Sequence, residues 1–114
     1  YAVTWPDRVT NRLEPLDFTK LGELRFEPPR TDDFPALNLA RRAGNVGGTL
    51  PAVLNAANEV AVEAFLSGGI RFPAIWETVA AVMDDHVVVD HPSLDEILES
   101  DSWARQQATA GLPQ

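Results

Sequence analysis

The stretch from Leu50 to Phe65 constrains this chain more than any other. Leu50, Val53, Leu54, Ala57, Ala61, Ala64 and Phe65 recur at the i, i+3, i+4 spacing of one helix face. Thr49 stands where an N-cap belongs, Pro51 fits the first turn, and Gly68-Gly69 ends the run. A helix with one apolar side must bury that side against other elements. The helix also carries Asn55, Asn58 and Glu59 at i, i+3, i+4, so they share a second face. Asparagine is a poor interior helix former, because its amide competes for the backbone. Two asparagines one turn apart therefore call for a task. Three tasks are open: amides that fix the register of a bundle by hydrogen-bonding nearby backbone, contact with a substrate or metal, or a plain solvated face. The first suits the residue types best.

Further helices are expected around this one. Asp33 can cap a helix from Phe34, with Pro35 in its first turn, Leu37, Leu39 and Ala40 on its apolar side and Gly44 as its stop. Gly47-Gly48 reads as a flexible joint. Another helix begins near Phe72-Pro73, with a stripe of Ile75, Trp76, Val79, Val82 and Met83. Asp84-Asp85-His86 loosens it into a loop or extended run at Val87-Val88-Val89. Ser93-Leu94-Asp95-Glu96 is a capping box that opens a short helix through Leu98. Asp101 is expected to restart a last helix through Trp103 and Ala108.

Residues 1–33 differ in texture, being rich in Pro and charge and lacking helical periodicity. Trp5-Pro6 and Glu14-Pro15 disfavour helix at Trp5 and Glu14. Leu24-Arg25-Phe26-Glu27 alternates apolar and polar before Pro28-Pro29, which is a short strand signal. Four residues cannot make a free-standing sheet, so the expected strand pairs with something outside this chain. A start on Tyr1 with no Met likewise reads as a piece of a longer protein.

Composition narrows the functions. The 114 residues are 45% hydrophobic and 23% charged, which suits a packed domain rather than a disordered one. A formal net charge of −8 argues against nucleic-acid and membrane-surface partners. No apolar run approaches the ~18 residues of a membrane span. The absence of cysteine excludes disulfides and thiolate metal sites.

No stretch forms a catalytic motif. Asp84, Asp85 and His86 with Asp90 and His91 are a His/carboxylate cluster, but their spacing matches no familiar metal-ligand pattern and suits a solvated connector. Gly44-Asn45-Val46-Gly47-Gly48 has the glycines of a phosphate loop without a preceding strand. No His lies in a nucleophile–base motif. Trp5, Trp76 and Trp103 read as packing anchors.

Taken in order, a series of short strings carries more information than periodicity. It runs Trp5-Pro6-Asp7-Arg8-Val9, Pro15-Leu16-Asp17-Phe18, Leu24-Arg25-Phe26 and Phe34-Pro35-Ala36-Leu37. Leu54-Asn55-Ala56-Ala57-Asn58-Glu59, Ala64-Phe65-Leu66 and Ile70-Arg71-Phe72 follow. In this order and spacing they resemble the C-terminal part of the 1-deoxy-D-xylulose 5-phosphate reductoisomerase family, from Tyr1 to Ala108.

The resemblance implies a parent enzyme that makes 2-C-methyl-D-erythritol 4-phosphate by skeletal rearrangement and hydride transfer from NADPH. It implies Mg²⁺ or Mn²⁺ on the substrate's oxygens, a place in the non-mevalonate isoprenoid route, a homodimer and a bacterial cytoplasmic location. It also implies that the dinucleotide loop, metal ligands, phosphate-binding residues and active-site lid all lie upstream. No residue here matches them, so no catalytic, cofactor-binding or metal residue is expected in this segment. Residues 1–30 are expected to be the end of an α/β catalytic domain and a linker, including the strand near 24–27. Residues 31–114 are expected to be a C-terminal helical domain. The fold expected is therefore mainly α: a helical bundle behind an extended segment with one short strand. Asn55, Asn58 and Glu59 are expected to tie the helical domain to the segment containing Trp5 and Asp17. The competing readings are a free-standing helical interaction module without catalysis, and a catalytic fragment built on Asp84, His86 and Asp90.

Overall fold

The computed structural model of the chain describes residues 2–113. Five helices and no strand are present among them: α1 (Phe18–Leu21), α2 (Ala36–Val46), α3 (Leu50–Leu66), α4 (Ala74–Asp85) and α5 (Leu94–Gly111). The mainly helical expectation holds. The strand expected at Leu24-Arg25-Phe26-Glu27 is not formed. A strand needs a neighbour to complete its ladder. No described segment pairs with this one, and Phe26 is 89% exposed.

The apolar stripe of α3 organises the rest. The helix packs against α2, α4 and α5, and α4 also packs against α5. Val53, Ala56, Ala57 and Ala61 are fully buried, and the first three form one core with Ala43, Leu50, Val79, Val82, Met83 and with Ala104 and Ala108 of α5. Alanines on both α3 and α5 let the two helices approach closely, while Leu50 and Met83 fill the wider space beside them.

Helix ends follow local chemistry, with some departures from expectation. α2 starts at Ala36 with Pro35 as its N-cap, and runs past Gly44 to Val46. Gly47 ends it with φ 73°, donating its N–H to Ala43 O. Gly48 follows at φ 56°, and a Cβ there would meet Val89 O at 2.3 Å. The Gly-Gly joint is thus a close approach between backbones as well as a turn. Ser93 and Glu96 form the expected capping box, with Ser93 N–H donating to Glu96 Oε2 at 2.8 Å. The helix it opens does not stop at Leu98. No Gly or Pro interrupts it, Ser100 Oγ–H donates to Glu96 O, and Asp101 is held within it by Arg105, so one helix continues to Gly111.

The segment before the bundle behaves differently. Asp17 caps the single turn of α1, where its carboxylate accepts from Thr19 N–H at 2.9 Å. Val3, Leu13, Phe18, Leu24 and Phe26 are all exposed. The radius of gyration is 18.8 Å, whereas a compact chain of this length would have about 13 Å. The excess comes from this arm standing off the bundle.

Candidate functional site

The Asn-Ala-Ala-Asn-Glu turn of α3 faces two ways. Asn55 Nδ2 donates to Glu59 Oε1 at 3.0 Å. The other oxygen, Glu59 Oε2, accepts from Arg105 Nη2 of α5 at 2.7 Å. Arg105 also donates through Nε to Asp101 Oδ2 at 2.7 Å. The hydrogen bond from Arg105, followed by that from Asn55, holds the Glu59 carboxyl below the usual carboxylate range. Asp101 and Glu59 in turn push the Arg105 guanidinium above its ordinary value. The network links α3 to α5 at the surface, where such pairs add little stability.

Asn58 turns the other way. It borders a groove between α2, α3 and α4, whose walls include Leu39, Leu54, Val62, Ile75 and Trp76. Sequence reasoning grouped Asn55, Asn58 and Glu59 as one face. The structure joins Asn55 to Glu59, adds Arg105, and gives Asn58 separate surroundings. Arg105 was missed because it lies 46 residues from Glu59. Asp17 spends its carboxylate on its own turn, accepting from Thr19 N–H and Thr19 Oγ1–H and pairing with Lys20. The Thr19 bonds are the main cause of its lowered pKa. Trp5 is 71% exposed on the arm.

A second polar cluster clips the α4–α5 connection to the start of α3. Thr49 is fully buried, and its N–H donates to Val89 O at 3.1 Å. Val89 N–H returns a bond to Thr49 Oγ1 at 3.1 Å. His86 Nε2 lies 2.7 Å from the same Oγ1. A hydroxyl oxygen has two lone pairs, so the tautomer of His86 sets which partner donates in this contact. Partial burial, beside the Trp103 ring at 5.1 Å, lowers the His86 pKa and favours the neutral imidazole. Thr49 therefore does not cap α3 with its side chain, because that hydroxyl is occupied here. His86 was singled out in the sequence only for the acids around it.

Of those acids, Asp84 pairs with Arg42. Asp85, Glu96 and Glu99 line an open depression shared with His86 and Trp103. Among the described residues, no group of three or more His, Cys, Asp or Glu side chains is placed to hold a metal.

The comparisons with known proteins fit this arrangement of arm and bundle. Residues 1–107 match the model of the family described as the DXP reductoisomerase C-terminal domain. The chain belongs to this family. It is 54% identical over 108 residues to the 1-deoxy-D-xylulose 5-phosphate reductoisomerase of Symbiobacterium thermophilum, a match covering 95% of the chain and 28% of that relative. It is 48% identical over its whole length to the corresponding protein of a Synechococcus strain, covering 29% of it. Among solved structures, it superposes on the Zymomonas mobilis enzyme in complex with NADPH with a TM-score of 0.86 and 42% identity, over 98% of the chain and 30% of that structure. A DOX-P reductoisomerase in complex with NADPH, fosmidomycin and magnesium gives a TM-score of 0.86 at 38% identity, over 96% of the chain and 29% of that structure. The chain thus spans less than a third of each of these relatives. Among the described residues, no helix is long and apolar enough to cross a membrane.

Proposed function

We propose that this chain is the C-terminal structural part of a 1-deoxy-D-xylulose 5-phosphate reductoisomerase. The whole enzyme makes 2-C-methyl-D-erythritol 4-phosphate with NADPH and Mg²⁺ or Mn²⁺, as a cytoplasmic homodimer. The observation that carries this reading is the match of nearly the whole chain to about 28% of its relatives. Relatives solved with NADPH and with magnesium supply the cofactors. The upstream part of the polypeptide holds both cofactors and all the catalytic residues.

On this reading residues 1–30 end the catalytic domain and link it to a helical domain formed by residues 31–114. The helical domain acts as a brace. An active site needs its reacting groups held within a fraction of an ångström, and a rigid outer bundle limits how far they drift. Asn55, Asn58 and Glu59 on the bundle, with Trp5 and Asp17 on the arm, are the anchors that meet when the upstream domain is in place. In this chain Asn55 and Glu59 bond within the bundle and Asp17 within its own turn. The exposed apolar side chains of the arm support this, since they have the character of an interior surface.

The first test is turnover. The full-length polypeptide should consume 1-deoxy-D-xylulose 5-phosphate with NADPH and Mg²⁺, and residues 1–114 alone should show no turnover under the same conditions. Turnover by the 1–114 chain would contradict the assignment. Asn58→Leu in the full-length enzyme tests the anchor: both thermal stability and turnover should fall. Wild-type values for both would remove Asn58 from the anchor set.

A further inference from the structure

The groove beside Asn58 has a volume of about 390 Å³ and lies between α2, α3 and α4. Its lining is apolar except for the Asn58 amide, which makes no hydrogen bond to a described residue. Phe34 and Phe72 stand at its edge, each about half exposed, and both pack edge-on against Trp76. Resting on the reading above, we propose that this groove is the seat of a segment from the upstream part of the same polypeptide. The segment would place apolar side chains against Val62, Ile75 and Trp76, and pair one backbone group with Asn58.

Three observations select this occupant. A small ligand in a pocket of this size is usually fixed by several convergent polar groups. One amide suits a peptide instead, whose backbone offers a polar group between apolar side chains. The attachment point comes next. Phe34 N–H donates to Arg30 O, the Arg30 guanidinium lies 5.4 Å over the Phe34 ring, and that ring meets Trp76 on the groove wall. The arm is therefore pinned where it joins the bundle, at the groove's rim. Anything carried at its far end is tethered on this side, which raises its local concentration there. The third observation is length. The chain covers 28% of its relatives, so the remainder of the polypeptide is much larger than the bundle and has ample surface to present.

Covalent footprinting with mass spectrometry tests this on the full-length polypeptide and on residues 1–114 at low concentration. Labelling at Val62, Ile75 and Trp76 should fall several-fold in the full-length protein relative to the short chain. Val87, exposed on the far connection, should label equally in both. Val62→Glu should leave the melting of the short chain nearly unchanged, since that side chain is already partly exposed. In the full-length protein the same change should restore labelling at Ile75 and Trp76 and lower turnover. Unchanged labelling of the groove in the full-length protein would overturn the proposal. So would protection already present in the short chain: concentration-dependent protection would assign the groove to a second copy, and concentration-independent protection to the arm itself. Full-length protein without reductoisomerase turnover would instead overturn the functional reading, and the footprint would still report whether the groove is covered.

Discussion

The arm and the bundle draw on the same apolar residue types and use them in opposite ways. In the bundle, Val53 and Leu50 are buried to within 1% of complete. On the arm, Val3 and Leu13 are 98% and 79% exposed. Hydrophobicity alone did not decide this. α3 repeats its apolar residues at a helical period and finds three helices to cover them, whereas the arm is broken by prolines and finds no neighbour. An element's periodicity shows which face it must bury, but only a second element can bury it. Among the described residues the apolar side chains of the arm are therefore left uncovered, while the stripe of α3 is covered by its neighbours.

The sharpest contrast should come from truncating one side chain in each region of residues 1–114. Leu50→Ala empties a fully buried site and should cost about 2–5 kcal/mol in a denaturant melt. Phe26→Ala, on the exposed arm, should stay within about 0.5 kcal/mol of wild type. Comparable losses from both would mean that the arm packs on the bundle in solution.

A smaller effect is expected where the bundle is closed by polar groups rather than by packing. Thr49→Val keeps the shape but leaves Val89 N–H and His86 Nε2 without their partner, at a cost of about 1–3 kcal/mol by the same melt. No loss would show that water reaches these groups and that the clip does not close the bundle.

The smallest effect is a pH dependence confined to the bundle. Burial lowers the His86 pKa in the folded protein, so protonation is easier in the unfolded chain. Stability from the neutral ring is fully present above about pH 6.5 and is lost as the pH falls below that value. Asp85, Glu96 and Glu99 line the same depression, but the cause of the shift is burial. The melting temperature should therefore decline from about pH 7.5 to about pH 5.5, and His86→Gln should flatten that slope. An equal slope in wild type and variant would assign the titration to another group.

Much of the bundle was legible in the sequence because its signals are local. The stripe of α3 and the Ser93–Glu96 box each lie within a turn or two of helix, where spacing dictates contact. No strand forms at Leu24 to Glu27, because alternation is only half of a strand and no described segment pairs with it. The restart expected at Asp101 is absent, because Arg105 one turn later bonds Asp101 along a helix that runs unbroken from Leu94. The site was legible in its residue types and not in its pairings. Glu59 with Arg105 and Thr49 with His86 are 46 and 37 residues apart, and no local pattern announces either.

The central claim is that the bundle stands by itself and the arm belongs to a partner. Thermal melts followed by circular dichroism, on residues 31–114 and on residues 1–114, test it directly. Both should unfold cooperatively at nearly the same temperature, because the arm adds no packing to the core. Loss of the cooperative transition when residues 1–30 are removed would contradict the account.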